Sequence, residues 1–401
     1  MSIRGSLILA ALGCLAALLF VGSGPAAQAV LSPNVTVIAT GLNNPRGLTF
    51  GPDGNLYVAE GGTGAGGLTT TSTQCTQVPA PVGPYSGGFT ARILRFAPTG
   101  GSPTVVASGL PSSSTSAALG SLTSGVAAVA FVHGQLYALT AGAGCSHGLL
   151  GTANGVLRVN GNGTTTMVAN LSAYLAANPV ANPEPDDFEP DGTWYSMVAV
   201  RGDLYAVEPN HGEVVRIAPT SGSISRVVDV SASQGHIVPT SIAYRGSFFV
   251  GNLGTFPIVP GNEKILRLNP SGHLKSWVSG LTTVLGLAVD SEGRLYALES
   301  MTAAGGPGPT QLGTGMIVRI DHSGAKTTIA TGLSFPTGMT IGPDGSLYVS
   351  NLGFAGAGAG QILKVTVPGA SAPKGHHGDQ GDNDDQGQNG HGNKGHSKGH
   401  G

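Results

Sequence analysis

The sequence predicts an all-β protein, a six-bladed β-propeller of four-stranded antiparallel blades. Three observations carry that prediction. One hairpin recurs six times, each repeat holds up to four strand-sized segments, and the outermost strand of the last repeat is supplied by the N-terminus. Periods of roughly 45 to 80 residues with four short strands each are the mark of propeller blades.

The hairpin copies read Gly54-Asn-Leu-Tyr-Val-Ala-Glu60, Gly134-Gln-Leu-Tyr-Ala-Leu-Thr140, Gly202-Asp-Leu-Tyr-Ala-Val-Glu208, Gly246-Ser-Phe-Phe-Val-Gly-Asn252, Gly293-Arg-Leu-Tyr-Ala-Leu-Glu299 and Gly345-Ser-Leu-Tyr-Val-Ser-Asn351. In the first repeat Gly47–Phe50 alternates as an inner strand, and Gly51-Pro-Asp-Gly54 is a tight turn whose last glycine supplies a positive backbone angle. Leu56–Ala59 is the second strand. A long loop follows, then Ala91–Phe96 as the third strand and Thr104–Leu110 as the fourth. The third strand returns as Gly155–Val159, Glu213–Ile217, Lys264–Leu268, Met316–Ile320 and Gln361–Val365. The sixth repeat stops there, near Pro368. Asn34–Leu42 matches the fourth strand Lys326–Leu333, so it is expected to complete blade 6 and remove the exposed edges of an open ring.

The flanks differ in kind. Residues 1–29 have the layout of an export signal: Arg4, an apolar run from Leu7 to Val21, and a small-x-small site at Ala27-Gln-Ala29. The run is short for a membrane span and is followed by Gly22, Gly24 and Pro25. A lipoprotein signal ending at Cys14 would leave too short an apolar region. The expectation is therefore a secreted or cell-envelope protein, with residues 30–369 as the propeller. Residues 370–401 lack large apolar side chains, so they are expected to be a disordered Gly/His/Asp/Asn-rich tail.

Composition excludes some functions. Without Arg4 the chain has 18 basic and 21 acidic residues and no basic stripe. Nucleic acid and anionic membrane partners thus lack electrostatic support. A monomer is expected. Of the three cysteines, Cys75 and Cys145 remain after the signal; in an oxidising setting they are expected to form a disulfide. No Gly-x-Ser-x-Gly elbow, phosphate loop, His-Glu-x-x-His or Cys-x-x-Cys is present.

Loop length picks the working face. Two connections in every blade are short, whereas Gly61–Thr90, Ala141–Asn154, Ser172–Thr193, Leu253–Glu263 and Thr302–Thr314 are long and fall on the opposite face. Cys75 and Cys145 lie in two of them. Aligning the repeats places two rings at the channel mouth on that side. Second strands end in Glu60, Thr140, Glu208, Asn252, Glu299 and Asn351; inner strands start with Arg46, Ala127, Ser196, Thr240, Leu285 and Thr337. Three converging carboxylates would need protonation, pairing with Arg46, or a cation. Glu60, Glu208 and Glu299 are therefore candidate metal ligands, and calcium is the cation this oxygen set suits. The alternative is that the ring only satisfies loop amides.

Asp186-Asp-Phe-Glu189-Pro-Asp-Gly192 reads as a turn-rich acidic loop, with cation binding as the alternative. His211 follows Glu208 near the mouth and is a candidate ligand contact or general base; His147 has a weaker claim. Arg201-Gly-Asp203 aligns with the other hairpin turns, so adhesion is discounted.

The run Ala39–Gly62, the acidic segment before blade 3 and the Arg-Ile and Arg-Val third strands resemble the exported ScyD/ScyE family, up to about Pro368. The shared pattern is also similar to propellers of the NHL, sorbosone-dehydrogenase and gluconolactonase types. The resemblance implies a secreted propeller with no settled chemistry. Two functions stay open: a binding or scaffolding module that uses the long-loop face and channel mouth, or an enzyme there. The enzyme would be a metal-dependent lactonase-like hydrolase or a quinone-dependent sugar dehydrogenase.

Overall fold

A computed structural model describes residues 30–184, 187–269 and 272–369. The expected signal, the expected tail and Asp186 lie outside the described residues.

Six sheets are present. Blade 1 pairs Pro45–Phe50, Leu56–Glu60, Ser86–Ala97 and Gly100–Ser114, with a short fifth strand at Thr123–Ser124. Blade 2 pairs Val126–Val132, Gln135–Thr140, Gly155–Val159 and Thr165–Asn170, and blade 3 pairs Ser196–Val200, Asp203–Glu208, Glu213–Ile217 and Ile224–Asp229. Blade 4 comprises Pro239–Tyr244, Phe248–Asn252, Glu263–Leu268 and Leu274–Leu281. Blade 5 comprises Val284–Val289, Leu295–Glu299, Gly315–Ile320 and Lys326–Leu333. Blade 6 is Gly338–Ile341, Leu347–Asn351 and Gly360–Val365, and its outer strand is the N-terminal Val35–Leu42. The register runs Val35 opposite Val365 and Leu42 opposite Gly360, as the repeat alignment requires. Each inner strand touches the inner strands of both neighbouring blades, so the ring is closed. Among the described residues no helix is long and apolar enough to cross a membrane.

The blades stack face to face, and this sets where side chains point. In the second strand of blade 1, Leu56 and Val58 pack with Tyr348 and Ile362 of blade 6, while Tyr57 and Ala59 pack with Val129, Leu136 and Ala138 of blade 2. The period-2 alternation of a strand is thus spent on the two adjoining blades, not on the channel. Leu56 and Val58 are fully buried, contributing about 1.5–3 kcal/mol each.

The recurrent tyrosine has a second task on the short-turn face. The hydroxyls of Tyr57, Tyr296 and Tyr348 donate to Asp53, Asp290 and Asp344 at 3.1, 3.1 and 3.2 Å. Those aspartates also accept from amides of their own turns, for example Asn55 to Asp53 at 3.1 Å. One side chain therefore fastens the turn and fills an inter-blade seam.

Two elements depart from expectation. The third and fourth strands of blade 1 run on past Glu60 as a Gly/Ser ladder, Ser86–Gly88 against Ser112–Ser114, where the sequence predicts loop. Glycine and serine carry little strand propensity, so tertiary pairing decides. A helix, Leu171–Ala177, opens the connection to blade 3; Asn170 caps it by accepting from the Ala173 amide at 2.9 Å.

Candidate functional site: a closed channel mouth

The long loops do gather on one face. Cys75 and Cys145 are bonded, joining the insertions of blades 1 and 2. On the far side, the Ile258 and Gly305 backbones bridge the insertions of blades 4 and 5.

The glutamate and asparagine ring does not converge on the channel. Glu60 pairs with Arg92 and accepts from the Asn43 amide at 2.7 Å. Glu208 accepts from the Thr193 amide at 2.8 Å, and from the amide and Nδ1 of His211, the latter at 3.1 Å. Glu299 accepts from the Thr282 amide. Asn351 accepts from the Ser334 amide at 2.9 Å, and Asn252 donates to the Ile237 carbonyl at 3.0 Å. Thr140 is the exception; its hydroxyl exchanges hydrogen bonds with the backbone of Gly155. Five of the six residues thus clamp the connection that enters their own blade's inner strand. Parity explains it: Glu60 shares the phase of Leu56 and Val58, which face blade 6. Glu60, Glu208 and Glu299, the expected metal ligands, are thus each engaged by groups of their own blade. Among the described residues no three His, Cys, Asp or Glu side chains are arranged to hold a metal ion.

Arg46 and a residue that the alignment passed over close the mouth itself. Arg46 is buried; Nη1 donates to the Gly353 carbonyl at 2.7 Å and Nη2 to the Thr123 carbonyl at 2.5 Å. Its guanidinium carbon lies 4.5 Å from the centre of the Phe354 ring. Among the described residues no ring carboxylate pairs with it, so that alternative for the three glutamates falls away. Tyr195, from blade 3, donates to the Thr337 carbonyl of blade 6 at 3.0 Å, across the full diameter of the ring. Burial pushes its phenol up despite the nearby Arg46. Tyr195 stands where other blades have Pro45, Val126, Pro239, Val284 and Pro336 at the entry to the inner strand, so an aromatic at that position was the available signal. Beneath lies a cavity of about 70 Å3, lined in part by Ser196, Ser241, Gly286 and Met339.

His211 and the acidic segment belong to a network under the loops of blades 1–3. Burial works against charge on His211, but Glu208 beside it wins and raises its pKa; burial likewise opposes charge on Glu208, and His211 holds it below the usual range. Glu213, opposite Glu208 across the hairpin, is pushed up to about 7 by burial, which Arg226 only partly offsets. Glu189 accepts from the Tyr85 hydroxyl at 3.0 Å and lies 3.5 Å from Nε2 of His147, whose Nδ1 meets the Ser113 hydroxyl at 2.9 Å. Burial raises Glu189 well above its ordinary value and lowers His147. Asp191 accepts from the Ser146 amide and hydroxyl at 2.9 and 2.7 Å. This serine–histidine–glutamate chain is sealed from solvent, so it stitches loops together and presents no group to a substrate.

No protein-family model matches the chain, and no curated protein sequence matches it. Solved structures do. A protein of unknown function from Bacteroides thetaiotaomicron superposes with a TM-score of 0.51 at 11% identity, covering 84% of this chain and 76% of its own. The calcium-binding protein regucalcin from Agrobacterium tumefaciens gives 0.50 at 14%, over 84% and 95%. A gluconolactonase from Xanthomonas campestris gives 0.49 at 10%, over 83% and 89%. At such identities the first two speak for the fold, and the chain is a six-bladed β-propeller.

Proposed function

We propose that this is an exported propeller acting as a binding or scaffolding module, through the rim of its long-loop face rather than through an open channel. One observation carries the reading. Ten large apolar side chains are exposed among the described residues, and six of them stand on the long-loop side: Leu68, Phe89, Leu150, Phe256, Val259 and Leu312. Apolar side chains exposed on one face offer a partner surface to cover. An open recess of about 610 Å3 at the blade 1–2 rim, lined by Leu110, Thr140, Thr152, Leu157 and Met167 among others, adds a concave element. The export-like N-terminus and the resemblance of Ala39–Gly62 to the ScyD/ScyE family support a partner in the envelope or outside the cell. A metal-dependent lactonase site has less support, because each candidate carboxylate is already spent on its own blade.

The test uses the mature chain immobilised against an extracellular and envelope fraction, with Phe256→Ser/Val259→Ser compared with Val105→Ser on the outer strand of blade 1. The expected result is a retained component that the first variant loses and the second keeps. Equal retention by both would remove the rim from the reading. In parallel, calcium and chelator are expected to give the same melting temperature. A calcium-dependent rise, lost in Glu208→Gln/Glu299→Gln, would restore the metal-centred enzyme.

A further inference from the structure

One cation recurs in the third strand of every blade: Arg95, Arg158, Arg216, Arg267, Arg319 and Lys364. Each stands directly across the strand pair from the recurrent second-strand aromatic, so the two share a side of the sheet. That aromatic fills the seam to the next blade near the short turns. The cations are therefore set around the short-turn side of the disc, one per seam. Three of them are neutralised from the first hairpin of their own blade. Asp53 lies 3.8 Å from Arg95, Asp203 lies 2.7 Å from Arg216, and Asp344 lies 2.6 Å from Lys364.

The other three are not. Blades 2 and 4 carry Gln135 and Ser247 where blade 3 has Asp203, and in blade 5 Arg294 takes Asp290 at 2.6 Å. Arg158, Arg267 and Arg319 thus meet no carboxylate among the described residues. Arg201 and Arg245, in neighbouring turns, and Lys275, directly across from Arg267, are exposed and equally without one. The remaining carboxylates of this side are held elsewhere: Glu292 lies 2.9 Å from Arg294, and Asp321 accepts from the Ser323 and Ala325 amides at 2.9 and 3.0 Å. The result is an arc of positive charge across blades 2 to 5. Whole-chain composition conceals it, because balancing carboxylates such as Glu60, Glu189, Glu208 and Glu213 are buried on the long-loop side.

We propose that the short-turn side of blades 2 to 5 is a docking surface for an acidic polysaccharide, whose carboxylates meet Arg158, Arg267 and their neighbours. A guanidinium fork matches a carboxylate in charge and in planar geometry. Packed sheets stand about 10 Å apart, so cations one seam apart are too far separated for a single small anion. The same spacing is too sparse for nucleic acid, whose duplex carries a charge about every 1.7 Å. A charged membrane surface would be gripped by apolar side chains as well. In blades 3 to 5 the exposed large apolar side chains among the described residues, Phe256, Val259 and Leu312, all stand on the long-loop side. This surface lies opposite the apolar rim, so either reading can fail while the other stands.

The test is calorimetric binding of the mature chain to polygalacturonate in chelator, at about 20 and about 150 mM salt. Its methyl ester serves as the uncharged isostere, with a single-stranded oligonucleotide and phosphatidylglycerol vesicles as competing polyanions. The expected result is saturable binding to polygalacturonate that weakens with salt, and none to the methyl ester. Arg158→Gln/Arg267→Gln/Lys275→Gln should weaken it at least tenfold and flatten its salt dependence. These side chains are exposed, so the melting temperature should stay at the wild-type value. Lys374→Gln/Lys394→Gln/Lys398→Gln, in the C-terminal segment, should bind as wild type does. Absence of binding overturns the proposal, as does wild-type affinity in the triple arc variant or loss in the C-terminal one. Tighter binding to the oligonucleotide or the vesicles overturns the polysaccharide assignment. If the triple arc variant does not fold, Arg158→Gln and Lys275→Gln decide singly, and wild-type affinity in both overturns the surface.

Discussion

Glu299 offers a sharp test of what the carboxylate ring does. Its sisters have charged partners: Arg92 for Glu60 and His211 for Glu208. Glu299 has the Thr282 amide, and Met316 is its neighbour across the strand pair. Lys326, the nearest cation, is committed to the carbonyls of Ser279 and Gly280 at 2.8 and 2.7 Å. Burial therefore pushes the Glu299 carboxyl up to about 7 from its ordinary 4.5. A folded-state pKa above the unfolded one means the native protein holds more protons between those values. Stability from this group is then present at low pH and is lost as pH rises from about 4.5 to 7. Evaluating the two binding polynomials at pH 5 and pH 8 gives a loss of about 2.5 kcal/mol. Glu299→Gln keeps an acceptor for the Thr282 amide and cannot ionise. Its stability should exceed that of wild type by about 1 kcal/mol at pH 5 and by about 3.4 kcal/mol at pH 8, a gap that widens by about 2.5 kcal/mol. Urea unfolding of both proteins at both pH values measures the difference, and cancels the similarly raised Glu213. A gap that does not change with pH would refute the burial argument. A variant weaker than wild type at pH 8 would mean that Glu299 is ionised and neutralised, returning the ring to the metal reading.

Three further outcomes are expected. Reducing the Cys75–Cys145 bond, which spans 70 residues, should cost up to about 4 kcal/mol by loop entropy, read as a fall in melting temperature with the β circular-dichroism signal retained below it; an unchanged melting temperature contradicts this. Tyr296→Phe should lose about 1–2 kcal/mol in urea unfolding, because its buried hydroxyl donates to Asp290, whereas a neutral result would deny the turn-fastening role. His211→Gln should be most destabilising between about pH 4.5 and 6.5. The raised histidine contributes below its unfolded value and fades as pH climbs through the folded one, and the lowered Glu208 contributes above its unfolded value and fades in acid. A flat pH profile of the His211→Gln deficit would break that pairing.

Blade count, ring closure by Asn34–Leu42, the disulfide and the position of the long loops were legible in the sequence. Each follows from quantities that run along a chain: repeat spacing, strand identity, loop length and cysteine position. The Ser86–Gly88 ladder was not legible, because glycine and serine give no local strand signal and gain one only from a partner. The partners of the ring residues were not legible for a different reason. Aligning repeats fixes how far along its strand a residue sits, but not which way its side chain points. That direction depends on blades stacking face to face, which turned Glu60, Glu208 and Glu299 into clamps on their own blades. Bulges at Pro45/Leu48, Val126/Ala128, Pro239/Ser241 and Val284/Gly286 shift the inner strands by a further step that the repeat pattern does not show. Tyr195 reaches Thr337, with Arg46 nearby, only because blades 3 and 6 stand opposite each other in the closed ring. Periodicity along the chain determined the scaffold, and ring closure, which brings distant residues together, decided what fills its mouth.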